Sequence, residues 1–157
     1  MKQNDTKTNR IRNLYLILLG FLSLSAIGGG GALIISPTGE VMGLPLSSFK
    51  NMPFDSYLIP GIILLSVLGV IPIILIIALL KKTESKFAEY FNMYRDMHWS
   101  WTFSIYIAFI LIGWIIIQLI FLQSAIFWLH TFYVFYAVLM IIIALLPEVR
   151  DLYKKTP

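Results

Sequence analysis

The sequence predicts an all-α integral membrane protein, a bundle of four helices in a single domain over residues 1–157. Three observations carry this. Charged residues make up 13% of the chain and hydrophobic ones 59%, whereas a soluble domain carries about 25% charge. Apolar runs reach the roughly 20 residues that a helix needs to cross the hydrocarbon core. Lysine and arginine collect in alternate gaps between those runs.

The first run, about 14–35, follows Lys2, Lys7, Arg10 and Arg12; the second, about 59–80, ends on Lys81 and Lys82. From Trp99 to Pro147 no residue carries a formal charge, and only His130 titrates near neutrality. A single helix of that length would extend roughly 74 Å, more than twice the core thickness, so the run must fold back. Gln123-Ser124 is its only polar break near the middle, which gives spans at about 99–122 and 126–146, the last closed by Pro147.

Eleven of the 12 basic residues then fall on one side of the membrane, in the N-terminal tail, the 81–98 segment and the C-terminal tail. That side is expected to be the cytoplasm. Lys50 alone lies in the 36–58 outer loop. A basic tail followed by an apolar run and small residues also describes a signal peptide, but the run continues past the 7–15 residues such a segment uses, so span one is expected to be retained.

Within 83–98, Phe87, Tyr90, Phe91, Tyr94 and Met97 recur at helical spacing. Either a short amphipathic helix in the inner interface, aromatic face down, or an extension of span two packed on span three fits this pattern. The outer loop carries Val41, Met42, Leu44, Leu46, Phe49, Met52 and Phe54 between turns marked by Pro37-Thr38-Gly39, Pro45 and Pro53. A solvated linker has no use for so many large apolar side chains, so the loop must fold onto the bundle, enter the interface or meet a partner. Leu44, Leu46, Phe49 and Phe54 are the candidate partner-binding residues.

Four glycines, Gly28 to Gly31, interrupt span one. The small pairs Ala26 with Gly30 and Gly28 with Ala32, each four apart, fit close helix packing better than an unwound ion site. Pro72 is expected to kink span two. Trp99, Trp101, Trp128, Tyr57 and Tyr15 lie near span ends as interfacial anchors, while Trp114 at mid-span is expected to pack. His130 lies about one turn inside span four, at the depth of Gln118 in span three and beside Thr131. These three form a candidate polar cluster, against the plainer reading of a neutral histidine bonded to backbone or water.

No Asp, Glu, Lys or Arg lies inside a span, there is no cysteine, and no phosphate loop or nucleophile–base set is present. Neither an enzyme nor a resident metal or cofactor is expected, and the scattered basic residues do not form a nucleic-acid surface. The pattern Gly43-Leu44-Pro45, Pro53-Phe54 and Tyr57-Leu58-Ile59-Pro60-Gly61, with Gly113-Trp114 and Gln118 in span three, resembles small bacterial four-span membrane proteins, with a length and layout similar to auxiliary subunits of staphylococcal Sae-type sensor-kinase systems. The resemblance implies a non-catalytic subunit that modulates a membrane partner such as a histidine kinase together with an extracytoplasmic protein. It transfers no functional residue. The alternative is a binder or carrier of a small hydrophobic ligand or lipid, using a pocket at Gln118 and His130.

Overall fold

The computed structural model describes residues 2–48, 53–122 and 127–155, with side chains from residue 6 onward. Four helices are long and apolar enough to cross a membrane, the makeup of a multi-pass membrane protein. They are span one in Lys2–Ile35, span two in Leu58–Lys81, span three in Trp99–Phe121 and span four in Phe127–Leu145. The described residues contain no strand, only one isolated bridge, so the molecule is an all-α four-helix arrangement. Span one's helix starts well before its apolar run, because no proline or glycine interrupts residues 2–13. The break at Gln123-Ser124 lies outside the described residues. Ile17, Leu24, Ile74, Phe109 and Phe135 are each more than half exposed around the bundle, a surface suited to lipid in place of water.

Spans one and two meet backbone to backbone. A Cβ placed on Gly30 would stand 2.7 Å from the Leu65 nitrogen and 2.8 Å from the Gly61 oxygen. One on Gly61 would stand 2.9 Å from the Leu33 Cβ, and one on Gly69 would stand 2.8 Å from Ile27. Small residues permit this approach, and dispersion between the two helices replaces the hydrophobic drive that lipid removes. Pro72 acts on the same seam. A proline lacks a donor and crowds the carbonyl four residues back; here Leu64–Val70, the seven residues ahead of the Ile71–Lys81 helix, run as π-helix, and Ile71 N–H reaches back to the Ser66 oxygen. The local rearrangement takes the form of a widened turn. Buried Ser23 donates to the Gly69 carbonyl at 2.6 Å, a contact worth about 0.6 kcal/mol in membrane helices.

Spans three and four pair with each other, and near the end that carries both termini two hydrogen bonds join this pair to spans one and two while a third ties spans three and four together. Tyr15 donates to Ser104 Oγ at 2.6 Å, Tyr136 donates to the Leu18 carbonyl at 2.6 Å, and Trp101 Nε1 donates to the Ala144 carbonyl at 2.9 Å. Four of the five expected anchors are therefore core residues, and two of them, Tyr15 and Trp101, each spend their polar atom inside the bundle. Tyr57 is also buried, and Trp99 is buried with Nε1 on the Thr83 carbonyl. Trp128 is exposed.

Beneath that end, the C-terminal segment straps the connection between spans two and three. His98 N–H donates to the Tyr153 carbonyl at 2.7 Å, Lys155 N–H donates to the Asp96 carbonyl at 2.8 Å, and Lys155 Nζ pairs with Glu89 at 2.7 Å. Burial works against the Glu89 carboxylate, but hydrogen bonds from Lys155, Asn92 and the Trp99 N–H outweigh it and hold its pKa below the usual range. Only Lys86–Tyr90 of the amphipathic 83–98 stretch is α-helical. The reason is Asn92, which is buried: its amide donates to the Met97 carbonyl at 2.8 Å and its oxygen accepts from Thr102 at 2.6 Å. That network turns the chain and sends Met97 into the core, away from the exposed stripe of Phe87, Tyr90, Phe91 and Tyr94.

The seam between spans one and two yields a direct test. Gly30→Ala forces a Cβ onto backbone atoms and is expected to destabilise the protein by about 1–3 kcal/mol, the usual cost of overpacking. Gly28→Ala, where nothing lies within 4 Å of the new atom, is expected to be neutral or mildly stabilising. Thermal melts of the two variants in the same detergent decide the matter; equal melting points would remove the seam.

Candidate functional site

At the end opposite the termini, the described parts of the connection between spans one and two, residues 36–48 and 53–57, fold down as a lid. Pro37-Thr38-Gly39 makes a turn closed by Gly39 N–H on the Ser36 carbonyl at 2.9 Å. Gly39 has φ 81, and a Cβ there would overlap the Leu44 carbonyl, so this turn requires glycine. Leu44 N–H returns to the Gly39 carbonyl at 2.9 Å, and Tyr57 N–H donates to Pro37 at 2.9 Å. These bonds aim Leu44 inward, where it packs with Leu64 against buried Leu33, Tyr57 and Leu122.

Under the lid lie two adjoining spaces. The first, about 190 Å³, is lined by spans one, three and four with Leu64 and Leu68 of span two, and by Met42 and Leu44 of the lid. The second, about 450 Å³, is a groove between spans two and three, with Pro60 and Ile63 on one wall and Ile110, Gly113 and Ile117 on the other. Both share Leu33, Leu44, Trp114, Gln118 and Leu122, so these side chains form the boundary between chamber and groove. Ile63, Ile110 and Ile117 are exposed on the lipid-facing surface, which opens the groove sideways into the bilayer. The lining is mostly apolar, and its polar side chains are few: Ser25, Gln118, His130 and Tyr133 in the first space, and Tyr57 with Gln118 in the groove. Gln118 has no side-chain hydrogen bond among the described residues and faces both spaces. An amide left that way in an apolar wall costs free energy unless something in the cavity bonds to it.

The expected site residues distribute unevenly over this geometry. Leu44 lines both spaces and Phe54 lines the groove, while Leu46 is exposed on the lid. Phe49 lies outside the described residues. Gln118 and buried His130 line the same chamber. Thr131 does not join them: its hydroxyl donates to the Phe127 carbonyl of its own helix at 2.8 Å, the usual local bond of a helical threonine. Of the small residues in span one, Ala26 and Gly30 are buried and Ala32 is half-buried. Gly28 is exposed with open space beside it, which corrects the packing expected of it. The reason is angular: two positions along a helix turn a residue to the opposite side from Ala26 and Gly30. Trp114, expected to pack, is partly buried against the core and also walls both spaces.

Ser25, Gly29 and Tyr133 also line the chamber, and sequence reasoning assigned them no role there. A signal was present in span one. Leu22, Ser25, Ala26, Gly29 and Leu33 form one helical stripe, and it is unusual in holding a serine and a glycine where a packed stripe would hold larger side chains. Among the described residues no three of His, Asp and Glu come together as a metal-ligand group. The arrangement can take up an apolar chain and offer it a few hydrogen bonds. Comparison with protein-family models, curated proteins and solved structures finds no match to this chain.

Proposed function

We propose that this protein is a non-catalytic membrane protein that holds the apolar chain of a lipid-like amphiphile between its spans, at the end away from the termini. The observation that carries the reading is the apolar chamber and its side groove, with the unpaired Gln118 amide at their boundary. Ligand sites of about 300–1,000 Å³ with a few convergent polar groups hold small molecules, and an apolar cavity of about 150 Å³ already takes up benzene in place of water. The groove offers entry from the bilayer without passage through water, and Gln118, with Ser25, His130 and Tyr133, offers donors and acceptors to a polar end.

The basic residues orient the protein in a bacterial cell membrane with both termini in the cytoplasm and the lid outside. An impermeant thiol reagent applied to whole cells is expected to label Ser47→Cys and to leave Thr83→Cys unmodified; the reverse pattern would invert the protein and move the chamber to the inner leaflet.

A second reading, an auxiliary subunit that docks on a membrane or extracytoplasmic protein such as a sensor kinase, is favoured by Val41, Met42 and Leu46, which are exposed on the lid's surface. The two readings separate by residue. Gly29 has only the Leu64 side chain near its missing Cβ, at 3.6 Å, so Gly29→Leu extends into the chamber. Shutting out even two methylenes costs about 1.6 kcal/mol, more than tenfold in affinity. Native mass spectrometry of the chain extracted in mild detergent is expected to show one retained amphiphile, lost in Gly29→Leu while the melting point holds or rises. Docking alone would instead respond to Val41→Ser with Leu46→Ser and ignore Gly29→Leu. Wild-type protein free of amphiphile, or equal retention by the leucine variant, would end the ligand reading.

A further inference from the structure

A recess of about 700 Å³ opens at the end of the bundle that carries the termini, far from the chamber described above. Its charged lining consists of Lys82, Lys86, Lys154 and Lys155 with Glu84 and Glu89. The Lys155–Glu89 pair, at 2.7 Å, is internally neutral. The remaining groups are three lysines against one glutamate, and neither Lys86 nor Lys154 has a side-chain partner among the described residues. The surplus of two positive charges balances the charge of a phosphate monoester at neutral pH, about −1.5 to −2.

The recess is built by tertiary contacts. Lys82 ends span two at φ 49, the one left-handed non-glycine residue among those described. That position normally belongs to glycine, and a lysine held there stores strain of a kind that collects at ligand clamps. Its ammonium stands 5.9 Å above the Tyr153 ring, which fixes it on one wall. Lys154 is set on another wall by the backbone bridge to Met97, and Lys155 by its bond to the Asp96 carbonyl.

The depth of the recess is equally defined. Lys82 follows the last apolar turn of span two, and Trp99, which opens span three, bonds to Thr83 beside it. Exposed Phe87, Tyr90 and Phe91 project alongside. Aromatic rings of this kind settle at the level of lipid headgroups, and lysines at the same level attract anionic lipid.

We infer that the recess binds a phosphate group at the membrane surface, held by Lys82, Lys86 and Lys154. A lipid phosphomonoester and a free phosphate share this chemistry, and the test separates them. The full chain is reconstituted in nanodiscs of phosphatidylcholine alone, the same with added phosphatidic acid, and phosphatidylcholine with inorganic phosphate in the buffer. Thermal stability is read in each, for wild type, for the combined variant Lys82→Gln, Lys86→Gln and Lys154→Gln, and for Lys81→Gln. Lys81 is a neighbouring lysine that does not line the recess.

Wild type is expected to be stabilised by phosphatidic acid, with an apparent affinity reduced about tenfold or more in the combined variant, as befits lost charge-assisted hydrogen bonds, and unaltered in Lys81→Gln. Stabilisation by phosphatidic acid only assigns the site to a lipid; stabilisation by inorganic phosphate as well opens it to soluble phosphate. No stabilisation by either overturns the inference. So does an equal loss in Lys81→Gln, which would reduce the effect to general surface charge. The substituted lysines are exposed, and the melting point of each variant in phosphatidylcholine alone serves as the folding control.

Discussion

The contact on which the rest of this structure depends is the backbone-to-backbone approach of spans one and two. In a bilayer no solvent is gained by bringing two apolar helices together, so their association rests on the closeness of fit. Gly30 against Gly61 and Leu65, and Gly69 against Ile27, supply that closeness over about two turns of span two. The π-helical stretch before Pro72 belongs to the same seam, since Gly69 lies within it and its carbonyl receives the Ser23 hydroxyl. A larger side chain at Gly30 would lever the helices apart and leave Ser23 without its acceptor.

With spans one and two held as one pair and spans three and four as another, the bundle is governed by how the pairs meet. Near the termini they are bolted by Tyr15 and Tyr136, and closed underneath by the Asn92 network and the C-terminal strap. At the opposite end the near half of span two, Leu58–Ile63, remains on span one, and its other side faces span three across the groove. The chamber under the lid is a consequence of that difference. A bundle packed equally well at both ends would have no room between Trp114 and Leu64.

The four spans were legible because hydrocarbon thickness sets a length that an apolar run either meets or fails. The turn at Gly39 was legible for a similar reason, since proline and glycine at those offsets permit few backbone paths. What escaped the sequence was direction. Tyr15 and Trp101 sit near span ends, where an anchor and a core residue look alike; only the partners Ser104 and Ala144, distant in the chain, decide that they point inward. Met97 continues a helical spacing, yet the helix stops because Asn92 finds Thr102 and the Met97 carbonyl. Leu44 read as an exposed anchor because an irregular loop has no period from which to infer a face. Gln118 and His130 were visible as polar exceptions in apolar runs, whereas Ser25 and Gly29 became meaningful only when the other helices surrounded them.

Whether the space between the pairs takes an apolar chain is most directly measured by photo-crosslinking in native-like bilayers, using a lipid with a diazirine at mid-chain and locating adducts by peptide mass spectrometry. Entry of a chain predicts adducts concentrated at Trp114 and Leu44, well above those at lipid-facing residues such as Ile74, Phe135 and Ile142. Adducts spread evenly over the exposed faces, with Trp114 and Leu44 unlabelled, would contradict it.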